Sequence, residues 1–287
     1  MDIPRYWARA EAKVTIKGQA YNFIAYKGSD QSLEAAQVLA STELSERIAR
    51  KERGEPLGSY PKHGAPLREE IIEDIIHNQE RIAVITRNSA GSLVLNTARV
   101  MFIDIDLMQS HLWERVSWRQ ILKNIFEWPK SKPKPRAEQV LERIHQWYEN
   151  HTDFTLRVYR TKAGFRLLVS HTLFDPESPL VTKIMEELAC DNRYRRLCAI
   201  QSCFRARLTP KYYRIRLERP PGRYPWQSAQ EELLQRDWEL AYHQKIKDYD
   251  VCILIEILGD APPHPEAQVV MDIHDKFVMS ELAKPLA

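Results

Sequence analysis

A chain of 287 residues can bury one large core or two modest ones. Its composition, 44% apolar and 28% charged, is ordinary for a globular protein and excludes a disordered or fibrous chain. The formal net charge of +3 is too small to identify a nucleic-acid partner, so the distribution of charge must decide.

The opening MDIPRYWARAEAKV has no apolar h-region behind its arginines, and no stretch approaches the roughly 20 apolar residues that span a bilayer, which reads as a cytoplasmic protein with no membrane partner. Cysteines at 190, 198, 203 and 252 form no CxxC pair and have no histidine at zinc-finger spacing. Reduced, mostly buried thiols are expected.

Two alternating segments, AKVTIKG and AYNFIAYKG, flank a glycine-containing turn and precede a helix over SLEAAQVLASTELSERIARKE, a ββα start. After the break GEPLGSYPKHGAP, the segment LREEIIEDIIHNQ sets Ile71, Ile72, Ile75 and Ile76 on one helical stripe and predicts a helix. Strands are expected over RIAVITRN and over SLVLNTARVMFIDIDL, the latter divided by a bend. A helix from Trp113 to Trp128 is ended by prolines at 129, 133 and 135, which mark a linker near 128–136.

Beyond the linker come a helix over RAEQVLERIHQWYENH and a hairpin, FTLRVYR and FRLLVSH around TKAG. Helices over SPLVTKIMEELA and NRYRRLCAIQ lead to an expected strand pair, CFRARLTP and KYYRIRLER. The tail reads as helix, strand and helix over SAQEELLQRDWELAYHQKI, VCILIEIL and EAQVVMDIHDKF. The division is an N-terminal ββα segment at 1–65, an α+β core at 66–225 and a C-terminal helix-strand-helix segment at 226–287.

In MFIDIDL, strand alternation puts Asp104 and Asp106 on one face and Met101, Ile103, Ile105 and Leu107 on the other. The apolar flanks predict a buried central strand. Two like charges there call for a cation between them, and Mg²⁺ or Mn²⁺ suits carboxylate oxygens and phosphoryl chemistry. Replacing Asp104 with Asn is expected to abolish metal-dependent activity without unfolding the chain. At the hairpin turn, Arg160, Thr161, Lys162, Gly164 and Arg166 have the chemistry of a phosphate site. His171 closes the second hairpin strand, as a core-edge histidine or a nucleotide contact.

From Arg193 to Arg223 the chain carries nearly one-signed charge, including Arg205, Arg207, Lys211, Arg214 and Arg216, interleaved with Tyr194, Phe204, Tyr212, Tyr213 and Tyr224. Arginine suits phosphate and aromatic faces stack on bases, so this run predicts a DNA or RNA path. His274 and Asp275 in MDIHDKF read as a surface pair on a helix.

The order of these features resembles the archaeo-eukaryotic primases, the primase-polymerases, over about residues 80–217. Asp104 and Asp106 in FIDID match that family's Asp-x-Asp strand. His171 is similar to the histidine of its Ser-x-His element, with Val169 at the Ser position, and FRARLTPK looks like its late Arg-rich element. CFRARLTPK shows arginines where the family's third acid is expected, leaving Asp153, Asp175, Glu177 and Asp191 as candidates. The resemblance implies an RRM-like, primase-type palm, an antiparallel sheet flanked by helices. It also implies a Mg²⁺- or Mn²⁺-dependent nucleotidyltransferase with Asp104 and Asp106 as catalytic metal ligands and His171, Arg160, Lys162 and Arg166 on a nucleoside triphosphate. A non-catalytic nucleic-acid-binding module and a metal-dependent nuclease or phosphohydrolase are the alternatives.

Overall fold

In a computed structural model that describes residues 1–56, 67–107 and 135–287, ten strands form three antiparallel sheets. In chain order the elements are β1 (Tyr6–Ile16), β2 (Gln19–Ser29), α1 (Leu33–Glu52), β3 (Glu70–His77), β4 (Glu80–Arg87), β5 (Leu93–Thr97) and β6 (Phe102–Asp106). There follow α2 (Arg136–Glu149), β7 (Leu156–Thr161), β8 (Gly164–Val169), α3 (Pro179–Glu187), α4 (Asn192–Gln201), β9 (Phe204–Arg207), α5 (Ala229–Ile246), β10 (Cys252–Leu258) and α6 (Pro265–Val278). The expected 113–128 helix and nearly all of the 128–136 linker lie outside the described residues.

The ββα start forms as expected. β1 and β2 pair from Tyr6↔Ser29 to Ile16↔Gln19, and α1 packs Ala36, Ala40 and Leu44 against the hairpin. Ser32 starts that helix, its Oγ accepting from the Ala35 N–H at 3.1 Å.

Residues 70–77 are a strand, not the expected helix. The spacing of Ile71, Ile72, Ile75 and Ile76 fits either element. Three features favour the strand: β-branched residues, register shifts at Ile71/Glu73 and Ile75/Ile76, and a two-residue turn. In that turn Asn78 and Gln79 both have positive φ, 49° and 66°, as a tight hairpin to β4 requires. Ile72 and Ile76 stay exposed on this edge strand.

One four-stranded sheet has the order β3-β4-β5-β9 and the other β10-β7-β8-β6. One core serves both, uniting Ile85, Leu95 and Phe204 with Phe102, Ile103 and Leu167. Since β8 pairs antiparallel with both β6 and β7, those two strands run parallel with β8 between them, a split β-α-β arrangement. β10, from the C-terminal segment, adds beside β7, and α6 contributes Val270, Met271 and Val278 to the common core.

The aspartate strand β6 is therefore an edge, not the expected centre. It is buried because α4 closes that edge: the Asp191 N–H donates to the Asp104 carbonyl at 2.9 Å and the Tyr194 hydroxyl to the Phe102 carbonyl at 2.9 Å. The same hydroxyl accepts from the Arg205 N–H at 3.2 Å, so Tyr194 ties β6 of one sheet to β9 of the other.

The expected partner strand KYYRIRLER does not form. Residues Tyr212–Ile215 make a 3-10 turn, and Arg216, at φ 58°, redirects the chain. Burial of Ile215 with Tyr242 and Ala287 in a separate small core fixes this path.

Candidate functional site

Strand alternation makes the β3-β4-β5-β9 sheet two-faced. On β9, Phe204 and Ala206 enter the core, whereas Arg205 and Arg207 face away from it. Cross-strand register aligns Arg207 with Val94 and Thr86, and Arg205 with Asn96 and Val84. Over this largely polar face lie α4 and the 220–226 segment, enclosing a cleft of about 590 Å³. Asp104, Tyr194, Arg205, Arg207, Tyr224 and Trp226 contribute to its walls.

The two arginines of β9 differ sharply. Arg205 is locked in a fork on Glu69, with Nη2 at 2.8 and 2.9 Å from the two carboxylate oxygens, and Nη1 reaches Gln201 at 2.9 Å. Glu69 also accepts from Thr86, which accepts from Asn96. Arg205 is thus a structural ion pair.

Arg207, two residues on, has no hydrogen-bond or ion-pair acceptor for its guanidinium among the described residues. Desolvation and the neighbouring Arg166 and Arg214 push its pKa below the usual arginine value, against the attraction of Asp104. Lys211 and Tyr213 extend the same positive zone, with Lys211 Nζ 5.8 Å from the Tyr213 ring centre. Although burial raises the Tyr213 hydroxyl, the hydrogen bond from Lys211 and the charges of Lys211, Arg214 and Arg207 outweigh it, and its pKa falls below the usual value. The described residues leave this zone rich in uncompensated positive charge.

Asp104 meets positive charge from the protein itself. Its Oδ1 accepts from Arg166 Nε at 3.2 Å, and the Arg166 side chain is 3% exposed against 36% for Asp104. Arg166 Nη1 also donates to the Arg207 carbonyl at 2.9 Å and to His274 Nε2 at 3.2 Å. Because a guanidinium only donates, His274 Nε2 must be the acceptor and Nδ1 carries the proton, donated to Asp275 Oδ1 at 2.9 Å. Asp275 is held in turn by Tyr159 at 2.7 Å and Arg157 at 2.5 Å. Burial, helped by Arg166, drives the His274 pKa down to about 4 against the pull of Asp275, so the ring is neutral. The expected surface pair is instead a buried support beneath the cleft. Its signal was available: His274 continues the spacing of Ala267, Val270 and Met271, the buried stripe of α6.

Other expected residues are dispersed. Asp106 shares the Asp104 face by alternation and pairs across to Gly164. Lys162 is exposed at the turn, while Arg160 donates to the Gly164 carbonyl and lies over Phe165. Arg166 enters the core, so the three hairpin cations do not converge. Gly164 serves backbone approach, but to β6: a Cβ there would lie 1.8 Å from the Ile105 carbonyl oxygen. His171 sits five residues along from Arg166, roughly 16 Å at strand rise. It packs edge-on to Phe154 and Phe174, and its Nδ1 accepts from the Thr155 N–H at 3.1 Å. Arg216 is exposed beyond the turn.

Among the described residues no three His, Cys, Asp or Glu side chains cluster to hold a metal. Of the third-acid candidates, Asp191 abuts β6, but its carboxylate caps α4 by accepting from the Tyr194 N–H at 2.7 Å. Asp175 accepts from the Glu177 N–H, and Glu177 accepts from Ser202. The described carboxylates on this strand face are Asp104 and Asp106, and Arg166 is already on the first. All four cysteines are free and buried, as expected.

No described helix is long and apolar enough to cross a membrane. No family model, curated protein or solved structure matches this chain. The class the fold and site define is an α+β protein of antiparallel sheets flanked by helices, with an arginine-rich cleft against one sheet.

Proposed function

We propose that this protein is a non-catalytic binding module whose cleft takes the phosphate of a nucleotide unit, alone or within a single strand of nucleic acid. The observation that carries the reading is Arg207, a guanidinium at the cleft wall without an acceptor among the described residues, which feels the charge of Arg214. A phosphate supplies the missing acceptors in the planar geometry that arginine favours. Tyr224 and Trp226 offer ring faces in the same cleft, the pairing of cation and aromatic that suits single strands.

The test is fluorescence anisotropy of a labelled single-stranded oligonucleotide in EDTA. Saturable binding is expected, with a log–log salt slope of about −2 from three cations. It weakens in Lys211→Gln and Arg214→Gln, and absence of binding refutes the reading. A second reading, Mg²⁺- or Mn²⁺-dependent nucleotidyl transfer, is favoured by Asp104 lining the cleft with Asp106 on its strand face. Binding that requires Mn²⁺ and both aspartates would select it.

A further inference from the structure

The cleft is chemically polarised. Its β9 side carries Arg207, whose guanidinium has no acceptor among the described residues, whereas its β4 side, about 10 Å away across two inter-strand spacings, is reached by α5. There Gln235 lines the cleft and is 2% exposed. Its Nε2 donates to Glu239 Oε1 at 3.0 Å. A carboxylate only accepts, so this bond fixes the amide orientation and leaves Oε1 as the remaining group. That oxygen is buried and has no donor among the described residues. Glu69 and Glu70 border the same cleft, each occupied by arginines, and Arg87 of β4, which also lines it, is held by an ion pair with Glu239 at 3.0 Å. Beside them Trp226 is held with Arg236 5.6 Å from its ring and Tyr224 nearly perpendicular at 5.7 Å.

We propose that the cleft prefers nucleotides whose base carries an exocyclic amino group, with Gln235 Oε1 as the acceptor that reads it. The inference rests on the reading of the cleft as a nucleotide site. The base lies against Trp226 while its phosphate reaches Arg207. Adenine and cytosine present an N–H donor where hypoxanthine and uracil present a carbonyl oxygen, and that oxygen would set acceptor against acceptor. A buried acceptor without a donor destabilises the complex with the wrong base more than a missing contact does.

Calorimetric titration of the full chain with AMP against IMP, and CMP against UMP, is the test. The amino-bearing member of each pair is expected to bind about tenfold tighter. Gln235→Met should abolish the difference while leaving the phosphate-dependent affinity. The two wild-type comparisons stand alone if that variant fails to fold. Equal or reversed affinity in either pair overturns the inference while the nucleotide site survives, whereas no binding of any of the four removes both.

Discussion

Replacing Arg207 with Met separates a binding arginine from a structural one. Its guanidinium has no acceptor among the described residues and feels Arg166 and Arg214, so the folded protein carries a desolvated charge that Asp104 and, more weakly, Tyr213 attract. An apolar side chain of similar length removes that cost. Exchanges of poorly compensated buried charge for packed apolar groups are neutral to stabilising, and about 1 kcal/mol is expected here, a Tm rise of about 2–4 °C. Loss of charged hydrogen bonds to phosphate costs about 1.5–3 kcal/mol of binding, a fall in affinity of roughly 10- to 100-fold. Calorimetry of the unliganded variant and anisotropy with an oligonucleotide read the two effects separately. A variant that melts earlier, or that binds as wild type does, refutes the assignment of Arg207 as the phosphate contact.

Arg205→Met should behave in the opposite way, losing about 3–5 kcal/mol in denaturant unfolding because Glu69 is left buried without its fork. Asp104→Asn should lower stability by about 2 kcal/mol, since the amide oxygen can still accept from the buried Arg166 but without charge; an unchanged Tm contradicts this. His274 adds a pH signature: its ring in the unfolded chain protonates near 6.5 and in the folded protein near about 4. Between those values the unfolded state binds the extra proton, so stability falls as pH drops from 6.5 towards 4, by up to about 1.4 kcal/mol per unit. His274→Gln should flatten that part of the stability–pH curve. Gly164→Ala should cost about 3 kcal/mol or prevent folding, because its Cβ would drive the β8 backbone off Ile105.

Much of the architecture was legible where side-chain period and local punctuation agree. The hairpin over 156–169, the FIDID strand and the helices that begin after Ser32, Ser178 and Ser228 are local features, and they form where the sequence places them. The isoleucine segment at 71–76 failed because its spacing is shared by helix and strand, and the choice rests on pairing with β4. Alternation put Arg205 and Arg207 on one face but could not separate them. Glu69, the partner that makes Arg205 structural, lies 136 residues earlier. Asp104 also meets a cation of the protein's own, Arg166 on the neighbouring strand, a pairing set by the β6–β8 register that no local pattern shows. The support from His274 comes from a helix 108 residues beyond Arg166, a contact no local pattern encodes.

The central claim is that the protein's own arginines, without a divalent ion, hold the phosphate. Calorimetric titration of a nucleoside monophosphate into the wild type, in EDTA and again in Mn²⁺, tests it most directly. The account predicts saturable binding in EDTA, little changed by Mn²⁺ and weakened at least tenfold by Arg207→Met. Binding that appears only with Mn²⁺ and vanishes in Asp104→Asn, Asp106→Asn would contradict it.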